Sequence, residues 1–283
     1  MAVIKSVIAF MMSIITFFSS LLGIPIGKEV DLDKFELVWS DEFDGTQLDS
    51  TKWKTSGSST TVRRGGYWNG ELAKVKDGNL VIYTKYLENG VSEGDPAGWY
   101  TTMVETKDLF EQTYGYFEVR CVLPKGYGQW SAFWMMNDDG MSYPYPDGSY
   151  GGEIDIFEAP FYGHTNSDKV IGAVHWGGYG DGHKSIAVYY NRAPEDPYDT
   201  YNTYGIEWNE DEYIIYVNGK QAAVVDKDEA VPSQVPMYMI LSTEIAGTNG
   251  VPSEYWAKGT ADDNGKNFVG EFKIDYVRVY QYK

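Results

Sequence analysis

Cysteine is nearly absent. The 283-residue chain holds one, Cys121, so no internal disulfide can staple it. Histidine is scarce as well, and His164, His175 and His183 follow no zinc-ligand spacing of the HExxH kind. That argues against a structural or catalytic zinc. Positive charge is short: 23 Lys and Arg face 41 Asp and Glu, a net charge of −18. A phosphate backbone binds by releasing counterions to Lys and Arg, so nucleic acid and anionic membrane surfaces are poor partners. The same field favours a neutral ligand over a sulfated or carboxylated one. Helical stripes, Ser- or Pro-rich linkers and internal repeats are missing too.

What remains is a globular composition, 43% hydrophobic and 23% charged, with an excess of rings. Aromatics make up 16% of the chain, roughly twice an ordinary share, which points to β-structure or a stacking surface. At the N-terminus Lys5 precedes an uncharged run from Ser6 to Gly27 rich in Val, Ile, Phe, Met and Leu. Its apolar residues surround a helix instead of forming a stripe, as in an export segment. Residues 1–27 therefore read as a signal peptide or an N-terminal membrane anchor through residues 4–27. The expected location is secreted or extracellular, with anchoring at the cell surface as the other outcome. Residues 28–283 read as a single domain, expected to be a monomer.

Within that domain short segments alternate apolar and polar residues, punctuated by Gly, Asn, Asp and Pro. The clearest predicted strands are 80–84, 116–123, 132–136, 153–158, 170–175, 204–208, 213–217 and 272–280. Asn218-Gly219 between two such runs calls for a tight hairpin, because a primed turn needs positive φ at both central positions. Many short strands and 31 glycines argue for two antiparallel sheets packed as a jelly-roll sandwich. Tyr and Trp on a concave outer face would offer sugars flat apolar surfaces, although any single Trp is more often core.

The stretch Glu153-Ile154-Asp155-Ile156-Phe157-Glu158 carries the chemistry. In a regular strand Glu153 and Asp155 share a face, whereas Glu158 would fall with the core residues. A buried, unpaired glutamate is costly. One extra residue between Asp155 and Glu158, a β-bulge, returns Glu158 to the acidic face and turns Ile156 and Phe157 inward together. The bare spacing is not specific: Asp31, Asp33 and Glu36 repeat it beside the export segment, where they read as a solvated cluster.

Here a family pattern becomes visible. The bulged strand resembles that of glycoside hydrolase family 16, which includes laminarinases and agar- and carrageenan-cleaving enzymes. Trp39-Ser40-Asp41-Glu42-Phe43-Asp44-Gly45, Tyr114 to Arg120, Trp130 to Trp134 and Asp275 to Gln281 resemble its other motifs in the same order. The resemblance implies a concanavalin-like sandwich with a concave carbohydrate-binding cleft, and retaining hydrolysis without a catalytic cofactor. It implies Glu153 as nucleophile, Glu158 as general acid/base and Asp155 as the helper between them. Two long glutamates can lean together over a shorter aspartate to about the 5–5.5 Å that a retaining enzyme needs.

Trp130 and Trp134 resemble cleft-lining positions, and His175 a cleft histidine, with a satisfied non-catalytic histidine as the alternative. Asn69 and Glu71 resemble a donor-side binding motif, from which Gly70 and Ala73 depart. Glu42, the carbonyl of Gly78 and Asp275 resemble a structural calcium set, although Asp275 could equally pair with Lys or Arg. Gly126-Tyr127-Gly128 and Gly178-Tyr179-Gly180 open no helix and read as turns. The expected substrate is a neutral β-glucan, laminarin-type or mixed-linkage. An agarase- or carrageenase-like enzyme and a non-catalytic carbohydrate-binding sandwich are the alternatives.

Overall fold

Alternation decides which way each strand faces. In Gln129–Met136, Phe133 and Met135 are fully buried between the sheets, whereas Trp130, Ala132, Trp134 and Met136 line the opposite, open face. Both tryptophans thus leave the core. The computed structural model describes residues 27–137, 152–165, 169–189, 196–255 and 257–283. The expected export segment, apart from Gly27, lies outside the described residues.

Two sheets make up the sandwich. The seven-stranded sheet is antiparallel and runs in the order Lys184–Tyr189, Ile171–Trp176, Gly152–Ala159, Gln129–Met136, Tyr238–Ile245, Met103–Glu105 and Lys54–Thr55. The eleven-stranded sheet is built around Val269–Tyr282, flanked by Gly115–Val122 and Asn79–Leu87 and joined by the first strand, Phe35–Asp41. Hairpin-connected neighbours alternate with distant ones, such as Gln129–Met136 beside Tyr238–Ile245 and Gly115–Val122 beside Val269–Tyr282, as a jelly roll requires. Gly66–Trp68 departs from the antiparallel pattern and runs parallel to Gly98–Thr101, and Arg64 makes a parallel bridge to Ile245. Helical structure among the described residues amounts to three short 3-10 turns.

The core lies between the sheets. Phe133, Ile154, Ile156, Phe157 and Leu241 from one side meet Phe117, Ile206, Trp208, Phe272 and Ile274 from the other in one contiguous cluster. Phe157 ties the layers together, its ring 4.6 Å from that of Tyr204 and 6.2 Å from that of Phe272. Burying such a ring contributes roughly 2–3 kcal/mol, and each aromatic pair about 1 kcal/mol more. The expected hairpin is present, with φ of 49° at Asn218 and 70° at Gly219 between Glu212–Val217 and Lys220–Asp226. Asp31, Asp33 and Glu36 are all exposed, as a solvated cluster should be.

Candidate active site

The strand Gly152–Ala159 is bulged where its acids require it. Asp155 pairs with Ala173 and Glu158 with Ile171, so three steps on this strand oppose two on its neighbour. On the other side Phe133 faces Phe157 while the next residue, Trp134, faces Asp155. Ile156 and Phe157 are both 0% exposed. Their consecutive burial leaves Glu153, Asp155 and Glu158 together on the open face, lining a cleft of about 520 Å³ with Trp130, Trp134 and His175.

Each acid has its own surroundings. Glu158 accepts a 2.8 Å hydrogen bond from Trp130 Nε1. Burial is the main reason its pKa rises to about 9; the nearby charges of Asp155 and Glu153 add to the rise, and the Trp130 bond and His175 oppose it. Desolvation leads, and the neighbouring carboxylates follow. Asp155 is 4% exposed. It too is pushed well above the ordinary carboxyl range, by burial and then by Glu153 and Glu244. With its pKa at about 9, Glu158 keeps its proton at neutral pH.

His175, on the neighbouring strand Ile171–Trp176, faces the same cluster. Its Nε2 lies 3.3 Å from Asp155 Oδ2 and 4.0 Å from Glu153 Oε1. Its Nδ1 shares a 3.0 Å hydrogen bond with His183 Nε2, and the two rings stack with 7° between their planes. Tyr179 donates a short hydrogen bond to Glu153 Oε2. Trp134 is pinned by its Nε1, which donates to Ser242 Oγ at 3.1 Å.

The far wall was not anticipated. Arg63 and Arg64 both grip Glu244, with Nε to oxygen distances of 2.6 and 2.7 Å. The guanidinium of Arg63 lies 4.7 Å over the Trp68 ring and that of Arg64 4.5 Å over Trp130. Two cations against one carboxylate leave one positive charge on this wall, facing the acid cluster. A signal existed: Arg63-Arg64 is the sole adjacent basic pair in this acid-rich chain. Tyr179 and His183 carried none beyond a glycine-rich turn.

Two expected binding residues lie elsewhere. Asn69 is completely buried, its amide donating to Ser58 O and Thr60 Oγ1 at 3.0 Å each while its Oδ1 caps the turn Gly70–Leu72 through Glu71 N. With its hydrogen-bonding capacity spent inside the fold, Asn69 shapes the loop and does not line the cleft. Glu71 is exposed and pairs with Lys74 at 2.8 Å, and it does not line the cleft either.

The calcium set does not fit. Both oxygens of Glu42 accept from Arg278, at 3.0 and 2.8 Å, and this guanidinium holds the Glu42 carboxyl below its usual pKa. Asp275 accepts from Arg120 Nη1 at 2.5 Å. Gly78 occupies a turn at φ +72°. Two arginines already neutralise the carboxylates that a hard cation would need, so the alternative reading of Asp275 as an ion-pair partner is the one that holds.

A bulged strand of carboxyls in an aromatic cleft on a two-sheet sandwich is the arrangement that retaining glycoside hydrolysis would require. The family model described as "Beta-porphyranase A-D, GH16 domain" matches residues 35–282. Among curated relatives, the keratan-sulfate endo-1,4-beta-galactosidase of Sphingobacterium multivorum is 31% identical over 264 residues, 87% of this chain and 55% of that protein. The beta-glucanase of Rhodothermus marinus is 30% identical over 271 residues, 88% of this chain and 86% of that protein. The laminarinase catalytic domain of Thermotoga maritima superposes with a TM-score of 0.69 at 30% identity, covering 88% of this chain and 99% of that one. The chain belongs to glycoside hydrolase family 16. It spans 55%, 40% and 34% of three of the curated relatives it matches.

Proposed function

We propose that the chain is a retaining, endo-acting hydrolase of β-linked polysaccharide. One observation carries this: the bulge that presents Glu153, Asp155 and Glu158 to one cleft, with Glu158 hydrogen-bonded to Trp130 and raised in pKa by burial. In this reading Glu153 attacks the anomeric carbon while Glu158 protonates the departing glycosidic oxygen. The electron pair of the broken bond leaves with that oxygen, and an ester to Glu153 forms. Loss of the Glu153 charge and of the proton on Glu158 readies Glu158 to deprotonate water, which then cleaves the ester and returns both residues to their starting state. Asp155, between them, adjusts the protons of both. No step calls for a cofactor.

For substrate, neutral β-1,3-glucan or mixed-linkage glucan is the first reading. It is supported by the similarity to a beta-glucanase and to a laminarinase domain. A galactan bearing acidic groups is the second, favoured by the unbalanced arginine pair in the cleft and by the porphyranase family model. Export, with residues 4–27 as leader or anchor, would place the protein where such polymers occur, acting as a monomer.

The test compares wild type with Glu153→Gln and Glu158→Gln on laminarin, lichenan, agarose, carrageenan and porphyran. Near-total loss of turnover with polysaccharide binding retained is the expected result in both variants. A variant that keeps the wild-type rate removes that residue from its role. Binding without sugar release by the wild type on every polymer would favour a non-catalytic sandwich.

A further inference from the structure

The loop from Trp176 to His183 joins two neighbouring strands and holds four glycines, Gly177, Gly178, Gly180 and Gly182, around one aromatic residue. Gly177 and Gly178 sit at φ +79° and +78°, a region in which side chains are strained. A Cβ on Gly177 would lie 2.4 Å from Gly182 O, so the loop can close this tightly only as glycine. Its effect is to carry Tyr179 back over the sheet. The ring is 56% exposed, yet its hydroxyl reaches into the acid cluster and donates to Glu153 Oε2. His183 lies 5.9 Å from the Tyr179 ring and stacks on His175, so the loop is braced on the same side as the carboxyls.

We infer that Tyr179 is a positioning residue for Glu153: by donating to Oε2 it leaves Oε1 as the oxygen that attacks, and it keeps its bond to Oε2 when that atom becomes the carbonyl oxygen of the glycosyl ester. The inference rests on Glu153 being the nucleophile. In the forward step the electron pair of Oε1 forms the bond to the anomeric carbon, and the departing oxygen takes the proton of Glu158. Tyr179 neither gains nor loses a proton. Burial and the Glu153 charge push its pKa far up, so it acts as a donor throughout.

Exposed aromatics in clefts commonly stack sugars, and that is the rival role. The placement of the hydroxyl, as opposed to the ring, separates the two. The groups that face Glu153 are Asp155 and Glu158 on its own strand, His175 on the next, His183 and Tyr179 from the loop, and Arg63 and Glu244 from the opposite wall. Removing the Tyr179 hydroxyl deletes a donor to ionised Glu153 and leaves the others in place. The attacking carboxylate is then held less firmly, which slows the chemical step and leaves sugar binding alone.

The experiment is Tyr179→Phe, which keeps the ring, on the full chain with whichever polymer the wild type cleaves. A kcat lower by about tenfold is expected, the range for a hydrogen bond to a charged group. KM should stay within about twofold. A change in KM alone, or an unchanged kcat, overturns the inference. The Glu153→Gln variant is measured beside it. If Glu153→Gln remains active, the nucleophile assignment fails, whereas an inactive Glu153→Gln with a wild-type Tyr179→Phe sinks only the role of Tyr179.

Discussion

Trp130 and Glu158 are joined across neighbouring strands by a 2.8 Å hydrogen bond from the indole Nε1 to a carboxyl oxygen. This bond works against the burial that raises Glu158 to a pKa of about 9. It also keeps the carboxyl on the cleft side of the bulge. Trp130→Phe keeps an aromatic surface and removes the donor. Glu158 should then hold its proton still more tightly, moving the basic limb of the kcat/KM profile to higher pH and lowering kcat about tenfold. A pH–rate series on wild type and variant checks this, and an unmoved basic limb would separate Trp130 from the acid.

The same raised pKa makes Glu158 a cost to the fold in mild alkali. Unfolded, the group titrates near 4.5; folded, it keeps its proton to about 9. Between those values the native state binds more protons than the unfolded one, so stability falls as pH rises through the window. Glu158→Gln removes that dependence. Allowing for the partial solvent access of the site, the variant should match wild type near pH 5 and exceed it by roughly 2 kcal/mol at pH 8. Urea unfolding at the two pH values measures the gap, and a gap that narrows with pH would contradict the burial of this carboxyl.

The bulge was legible because strict alternation would have buried Glu158, and the energetic objection pointed to a local remedy. The hairpin at Asn218-Gly219 was legible for a similar reason, since its conformation depends on two adjacent residues. Arg278 and Arg120 occupy the carboxylates of Glu42 and Asp275 from 236 and 155 positions away. No local pattern reports such a pairing. Asn69 carried a motif into a loop that turned its amide inward, and Tyr179 reaches the acids because a glycine loop folds back. Periodicity identifies which face a strand residue takes. It says little about side chains delivered by loops.

The bulge itself can be tested by removing its extra residue. Without Ile156, regular alternation places Glu153, Asp155 and Glu158 on one face and leaves Ile154 and Phe157 on the other. Ile156 is fully buried, so its loss should destabilise the fold by about 2–4 kcal/mol. Turnover should persist at reduced rate. Inserting an alanine between Ile156 and Phe157 instead lets regular alternation keep Glu158 on the acidic face but carries it about 7 Å further along the strand from Glu153, beyond the separation a retaining pair needs, and should abolish turnover. Thermal melts and sugar-release assays on both variants decide the matter; a folded but inactive deletion would mean that the three acids need the bulge for more than facing.

Arg63 offers the sharpest way to choose between the substrate readings. Its partner Glu244 is also held by Arg64, through a separate oxygen. Arg63→Ala therefore removes the surplus positive charge while the remaining pair stays balanced. If the charge reads an acidic group on the polymer, kcat/KM on a sulfated galactan should fall about tenfold or more. Activity on laminarin should change little, and the wild-type preference for the sulfated polymer should weaken as salt rises. Equal losses on the two polymers would make Arg63 a brace for Glu244 and Trp68, leaving neutral glucan as the better reading of this cleft.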